Sequence, residues 1–239
     1  MSGDPIVVVG GFMSWPWRYK PLARALREVS GSPVYVVPMT PLDWMMGAFR
    51  GFGQLVFAIG RTVDRALLET GAERVTLVGH SAGGIACRVY IGGDHPYGGR
   101  RYSGHRRVSR LVTLGCPHVV ADKRGLATIA EVNRLFPGAL HKTAGIDYVS
   151  VVGVAADGSK SFRARRRYER VTDDGRVSGD GVIPISCAFL PGSKRIMLDG
   201  VFHHVGLGRW YGSDPETVAL WWYGESPGRT PLAEDGSAR

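Results

Sequence analysis

Long hydrophobic runs are missing from this chain. Its apolar runs, such as Ile6–Val9, are strand-sized, and a membrane-spanning helix needs about 20 apolar residues in a row. The opening Met1-Ser2-Gly3-Asp4-Pro5 lacks the basic stretch and apolar segment of a secretory signal, so a cytoplasmic protein is expected. Cysteine is scarce. Cys87, Cys116 and Cys187 are odd in number and widely spaced, which fits neither a disulfide framework nor a zinc site and predicts buried thiols in a reducing compartment. Acidic residues are outnumbered, 21 against 30 Lys and Arg, for a net charge of +9. An apolar content of 44% excludes disorder as the main state. The 239 residues are enough to bury one good core. One domain over 1–225 is expected, with a flexible polar tail over 226–239.

The basic excess gathers in two places: Arg100, Arg101, Arg106, Arg107 and Arg110, and Arg163, Arg165, Arg166, Arg167 and Arg170. Such clusters attract phosphate groups. The first lacks the interleaved aromatics of a single-strand binder, so nucleic acid is not expected. Peripheral contact with an anionic membrane is a hypothesis the clusters raise, beside plain solvated surface.

Short β-branched runs alternate with helical patterns. Ile6–Val9, Val34–Val37, Val75–Val78, Leu111–Leu114, Tyr148–Val152 and Ile196–Leu198 read as strands. Pro21–Val29, Phe52–Leu68, Ile85–Ile91 and Pro215–Trp222 read as helices, the last capped by Ser213 or Asp214. This alternation predicts an α/β fold with a mostly parallel central sheet flanked by helices. Asp94–Ser109 and Gly158–Gly179 break the rhythm and are expected as long surface loops.

The chemistry starts at Gly79-His80-Ser81-Ala82-Gly83. A G-x-S-x-G pattern arises by chance in a glycine-rich chain, so context decides. Here it directly follows a strand and precedes an apolar helix, as a nucleophile elbow requires. A serine hydroxyl needs a base, and the base an orienting carboxylate. The base must come from a loop after the last strand. That leaves the adjacent His203 and His204, of which His203 is favoured and His204 is the alternative. Asp180, between Gly179 and Gly181, fits the acid best. Asp157, Asp173, Asp174 and Asp199 are rivals. The oxyanion needs two N–H donors. Ala82, after the nucleophile, supplies one, and Phe12, in the loop after the first strand, supplies the other, with Met13 as the fallback.

These residues resemble the α/β-hydrolase superfamily in its lipase/esterase-like branch. Leu111–His118 looks like the T-L-G-T-P-H segment of lipases and inositol-deacylase-like proteins, and Gly179–Pro184 like their G-D-G-V-V-P loop. Pro41–Trp44, Asp199–His203 and Trp210–Gly212 are similar to segments of a plant-plastid and cyanobacterial group of lipase-like hydrolases. In that group the pattern V-Y-H falls on Val201-Phe202-His203, which implies His203 as the triad base. Cys116 stands where the family usually has Thr, and Gly10-Gly11 replaces its usual His-Gly pair. The resemblance implies no cofactor, and no carboxylate-rich loop points to a metal.

The expected function is a serine hydrolase of carboxylic esters, with lipid or acyl esters favoured by its apolar surroundings. An acyltransferase with the same triad, or a non-catalytic binding protein on this scaffold, are the alternatives. The apolar segment Pro117–Thr143 is expected as a small lid. Trp15-Pro16-Trp17 and Leu42–Met46 are expected as apolar loops beside the site.

Overall fold

The computed structural model describes residues 3–121 and 126–224, so the expected tail over 226–239 lies outside the described residues. In chain order the strands of the central sheet are β1 (Ile6–Val9), β2 (Val34–Val36), β3 (Val75–His80), β4 (Val108–Leu114), β5 (Asp147–Val154) and, after a short antiparallel pair β6 (Ala156–Asp157) and β7 (Ser178–Gly179), β8 (Lys194–Asp199). The sheet runs β2-β1-β3-β4-β5-β8, and every neighbouring pair is parallel. The chain thus moves outward from β1 to β2, returns to β3, and builds the other side. Strand order reverses between β1 and β3, which opens a crevice at their C-terminal ends, where α/β sheets hold their ligands.

Helices cover both faces: α1 (Lys20–Ser30), α2 (Pro41–Arg50), α3 (Gly53–Thr70), α4 (Ala82–Ile91), α5 (Ala127–Leu135), α6 (Phe162–Tyr168), α7 (Ile185–Ala188) and α8 (Pro215–Trp222). Val7, Val9, Val75 and Leu77 pack with α3 and α4 on one face. Ile6, Val8, Val78 and Val112 pack with α1 and α8 on the other. Burial on both sides is why these strands read as unbroken β-branched runs. α1 buries Leu22, Ala25 and Leu26 and stops at Gly31 in the left-handed conformation. Of the two cap candidates for α8, Asp214 takes the role and accepts the Thr217 N–H at 2.7 Å. The three cysteines are buried. Among the described residues no helix is long and apolar enough to cross a membrane.

Four expectations need correction. Leu42–Met46 is part of helix α2, not a loop. Thr40 and Asp43 form its capping box, with Pro41 in the first turn. Gly158–Gly179 is not a plain loop. It holds α6, capped by Ser161 and anchored by the fully buried Tyr168. Within Asp94–Ser109, Gly104–Arg107 is a 3-10 turn, and Val108 already opens β4.

The fourth concerns the lid. Part of Pro117–Thr143 packs into the core while Val119 and Leu140 stay exposed, and 122–125 lie outside the described residues. Val132, Leu135 and Phe136 are buried there. Buried Arg88 of α4 pins the segment by donating to Asn133 Oδ1 at 2.7 Å and to the Phe136 carbonyl at 2.6 Å. Burial lowers this guanidinium to about 10, so it still carries its charge at neutral pH. Among the described residues, none of this segment lines the cavity beside Ser81.

Candidate active site

β3 ends at His80 and α4 begins at Ala82, so one residue makes the turn. Ser81 does so at φ 52° and ψ −128°. This conformation favours glycine and costs a residue with a side chain on the order of 1–3 kcal/mol. The turn closes because its neighbours are small. A Cβ at Gly83 would stand 2.5 Å from the Val9 and Gly10 carbonyl oxygens, and one at Gly79 would stand 2.5 Å from Gly84 Cα. The Ser81 N–H donates to the Leu114 carbonyl at 2.9 Å. Ser81 lines a cavity of about 70 Å³ together with Gly11, Phe12, Met13, Tyr19, His80, His203, His204 and Trp210.

Asp180 and His203 are 0% and 1% exposed. Nδ1 of His203 lies 2.6 Å from Asp180 Oδ2. The carboxylate is fully engaged. Oδ1 accepts the Val182 and Ile183 N–H groups at 2.9 and 2.7 Å, and Oδ2 also accepts the Tyr211 hydroxyl at 2.7 Å. Burial, then the Asp180 charge, holds the Tyr211 phenol well above its usual range, so it remains a donor. The His203 N–H donates to the Asp180 carbonyl at 2.9 Å and fixes the two loops together. Gly115 makes this meeting possible. A Cβ there would lie 2.5 Å from Asp180 Oδ2 and 2.9 Å from His203 Nδ1, at a φ of +54°. With Nδ1 turned to the carboxylate, Nε2 is the ring nitrogen left for the cavity. No hydrogen bond joins it to Ser81 Oγ among the described residues. Such contacts commonly close only when substrate is bound.

Among the described residues no carboxylate hydrogen-bonds to His204. Its ring stands edge-on to His203 at 4.7 Å between centroids. Partial burial, then the neighbouring His203, lowers it to about 4. Asp157 is engaged with Ser159 and Asp174 with the Arg176 N–H. Asp199 ends β8 in solvent.

Phe12 and Met13 both line the cavity. The Gly11 N–H is taken by Tyr19 Oη at 2.7 Å. Among the described residues no acceptor holds the Phe12 or Ala82 amide, and Ala82 opens α4, whose first-turn N–H groups lack helical partners.

Three side chains that the sequence did not mark complete the site. His80 Nε2 lies 3.1 Å from the His203 carbonyl, which can only accept, so Nε2 carries the proton. Nδ1 is then the acceptor for Tyr19 Oη at 2.9 Å. Burial, then His203 and His204, depresses the His80 pKa well below its usual value, so the ring is neutral. A directed chain therefore runs from the Gly11 amide through Tyr19 and His80 to the His203 backbone. Tyr211 was quoted only as part of a resembling segment, and nothing nearby in sequence announces Tyr19.

No family model matches the chain, and no curated protein matches it. Solved structures do. The mature Bacillus licheniformis lipase BlEst2 superposes with a TM-score of 0.55 at 17% identity, over 93% of this chain and 90% of that one. The chain has the α/β-hydrolase fold. Legionella pneumophila phospholipase PlaB is similar at a TM-score of 0.54 and 14% identity, over 78% of this chain and 44% of that one. Tomato methylketone synthase I matches at 0.51 and 12%, over 94% and 98%. The likeness is one of fold. It does not single out the plant-plastid and cyanobacterial branch.

Proposed function

We propose that the protein is a serine hydrolase of carboxylic esters. The observation that carries this reading is the buried 2.6 Å His203–Asp180 pair, with His203 and Ser81 lining the same cavity. In this reading Ser81 Oγ attacks the ester carbonyl and His203 Nε2 takes its proton. Asp180, held by Tyr211 and two backbone amides, stabilises the imidazolium. The Phe12 and Ala82 amides receive the oxyanion. His203 then protonates the departing alcohol, and water, deprotonated by the same nitrogen, releases the acid from the acyl-enzyme. His203, rather than His204, is the base because only it has a carboxylate to orient it.

Acyl or lipid esters are the substrates that the surroundings favour. Phe12, Met13, Trp15, Trp17, Val205 and Leu207 are exposed, and Phe12, Met13 and Val205 line the cavity itself. A cavity of about 70 Å³ holds a short acyl group, so a longer chain lies along this apolar rim. Contact with an anionic membrane uses the same rim. The Arg clusters are partly committed elsewhere: Arg107 pairs with Asp64, Arg110 with Asp147 and Arg165 with Glu169. Co-sedimentation with anionic but not neutral vesicles, weakened by salt, tests that contact.

The decisive experiment is Ser81→Ala. It abolishes p-nitrophenyl ester hydrolysis and fluorophosphonate labelling while the protein stays folded by circular dichroism. Undiminished activity removes Ser81 as the nucleophile.

A further inference from the structure

Among the described residues, the wall of the Ser81 cavity carries one cationic side chain, Arg18, and no acidic one. Arg18 belongs to the 3-10 turn Pro16–Tyr19 and lines the cavity. Its guanidinium lies 5.7 Å from the centre of the Trp17 ring. Arg167, on α6, donates to the Gly181 carbonyl at 3.2 Å, next to Asp180. Among the described residues neither arginine makes an ion pair. Both guanidiniums lower the His204 pKa, against the opposing charge of Asp180.

Among the described residues no Asp or Glu lines the cavity. The Asp180 carboxylate behind His203 is fully buried and already accepts from His203, Tyr211, Val182 and Ile183. Cations of one sign around a cleft with apolar walls concentrate a potential that draws in anions. Neutral His204 adds a ring N–H able to donate to the same group.

We propose that the substrate is an ester that itself carries a negative charge, a carboxylate or phosphate a few bonds from the scissile carbonyl, and that Arg18 selects it. This rests on the ester-hydrolase reading above and adds the substrate's charge to it. The charge sits on either the acyl or the alcohol side, and the test covers both.

Two matched ester pairs separate charge from size. 4-Acetoxybenzoate is compared with 4-acetoxybenzamide, and p-nitrophenyl hemiadipate with its terminal amide, each corrected for its rate with hydroxide. In at least one pair the anionic member shows the higher kcat/KM at low salt. That preference falls about fivefold in Arg18→Gln, the upper end of what an exposed ion pair supplies. It falls similarly in high salt and survives in Arg18→Lys. A preference of one or less in both pairs overturns the inference, as does one that neither Arg18→Gln nor salt changes. Labelling of Ser81 by an uncharged fluorophosphonate separates the two ways of failing. Labelling without charge preference overturns the anionic substrate alone. No labelling overturns the hydrolase reading and this inference with it.

Discussion

Tyr19 and His80, 61 positions apart in sequence, are joined by a 2.9 Å hydrogen bond behind the Ser81 turn. Through it the loop after β1 and the loop bearing His203 share one support. Tyr19→Phe removes the acceptor of the Gly11 amide and the donor to His80. Each buried group left unpaired costs about 1–3 kcal/mol. The expected result is a lower denaturation midpoint together with a fall in kcat at nearly unchanged KM, since the adjoining Phe12 amide loses its position. Steady-state kinetics beside urea denaturation check both. An unchanged kcat refutes the positional role.

Asp180→Asn keeps the shape of the acid but not its charge. It offers a neutral group to a histidine that needs a carboxylate. In Ser-His-Asp enzymes this change lowers kcat about 10⁴-fold, and a similar loss is expected here with ester substrates. A loss below tenfold means that another acid serves His203.

Gly115→Ala places a methyl group between Asp180 and His203 at a backbone angle that already disfavours it. The pair must separate. Activity is expected to fall by about as much as in Asp180→Asn, with lower stability as well. A variant with native turnover shows that the loops give way without cost.

Stability is expected to drop as the solution is acidified from about pH 6.5. His80 and His118 are held well below their usual pKa by burial, and His204 is lowered to about 4. The unfolded chain therefore binds protons near pH 6.5 that the folded chain refuses. Stability is complete above that pH and is lost on the way down. For His204 the loss levels off near pH 4. Urea midpoints from pH 7.5 to 4.5 trace the decline, and His204→Gln shallows it. A flat profile contradicts the neutral histidines.

Much of the architecture was legible in the sequence because burial on both sheet faces leaves continuous β-branched runs, as in β1, and because α8 starts at a capping aspartate. The structure also brings Asp180 and His203 together, two side chains chosen from separate loops on chemical need and, for His203, resemblance. Other features were not readable. α2 packs Trp44 amid Met45, Met46 and Gly47 and shows no clean apolar stripe. α6 is so rich in arginine that only Ala164 and Tyr168 go inside. The apolar residues of Pro117–Thr143 carry no mark of whether they cover a site or fill a core, and it is Arg88, 45 positions before Asn133, that decides. The supports of the site were equally hidden, since Tyr211 reaches Asp180 across 31 positions and Tyr19 reaches His80 across more.

The one-residue turn at Ser81 sets folding against reactivity. Glycine sits at ease at those backbone angles, and serine does not. A chain shaped only to hold together would carry glycine at this position, so on the proposed reading the exchange that hardens the protein against heat also silences it.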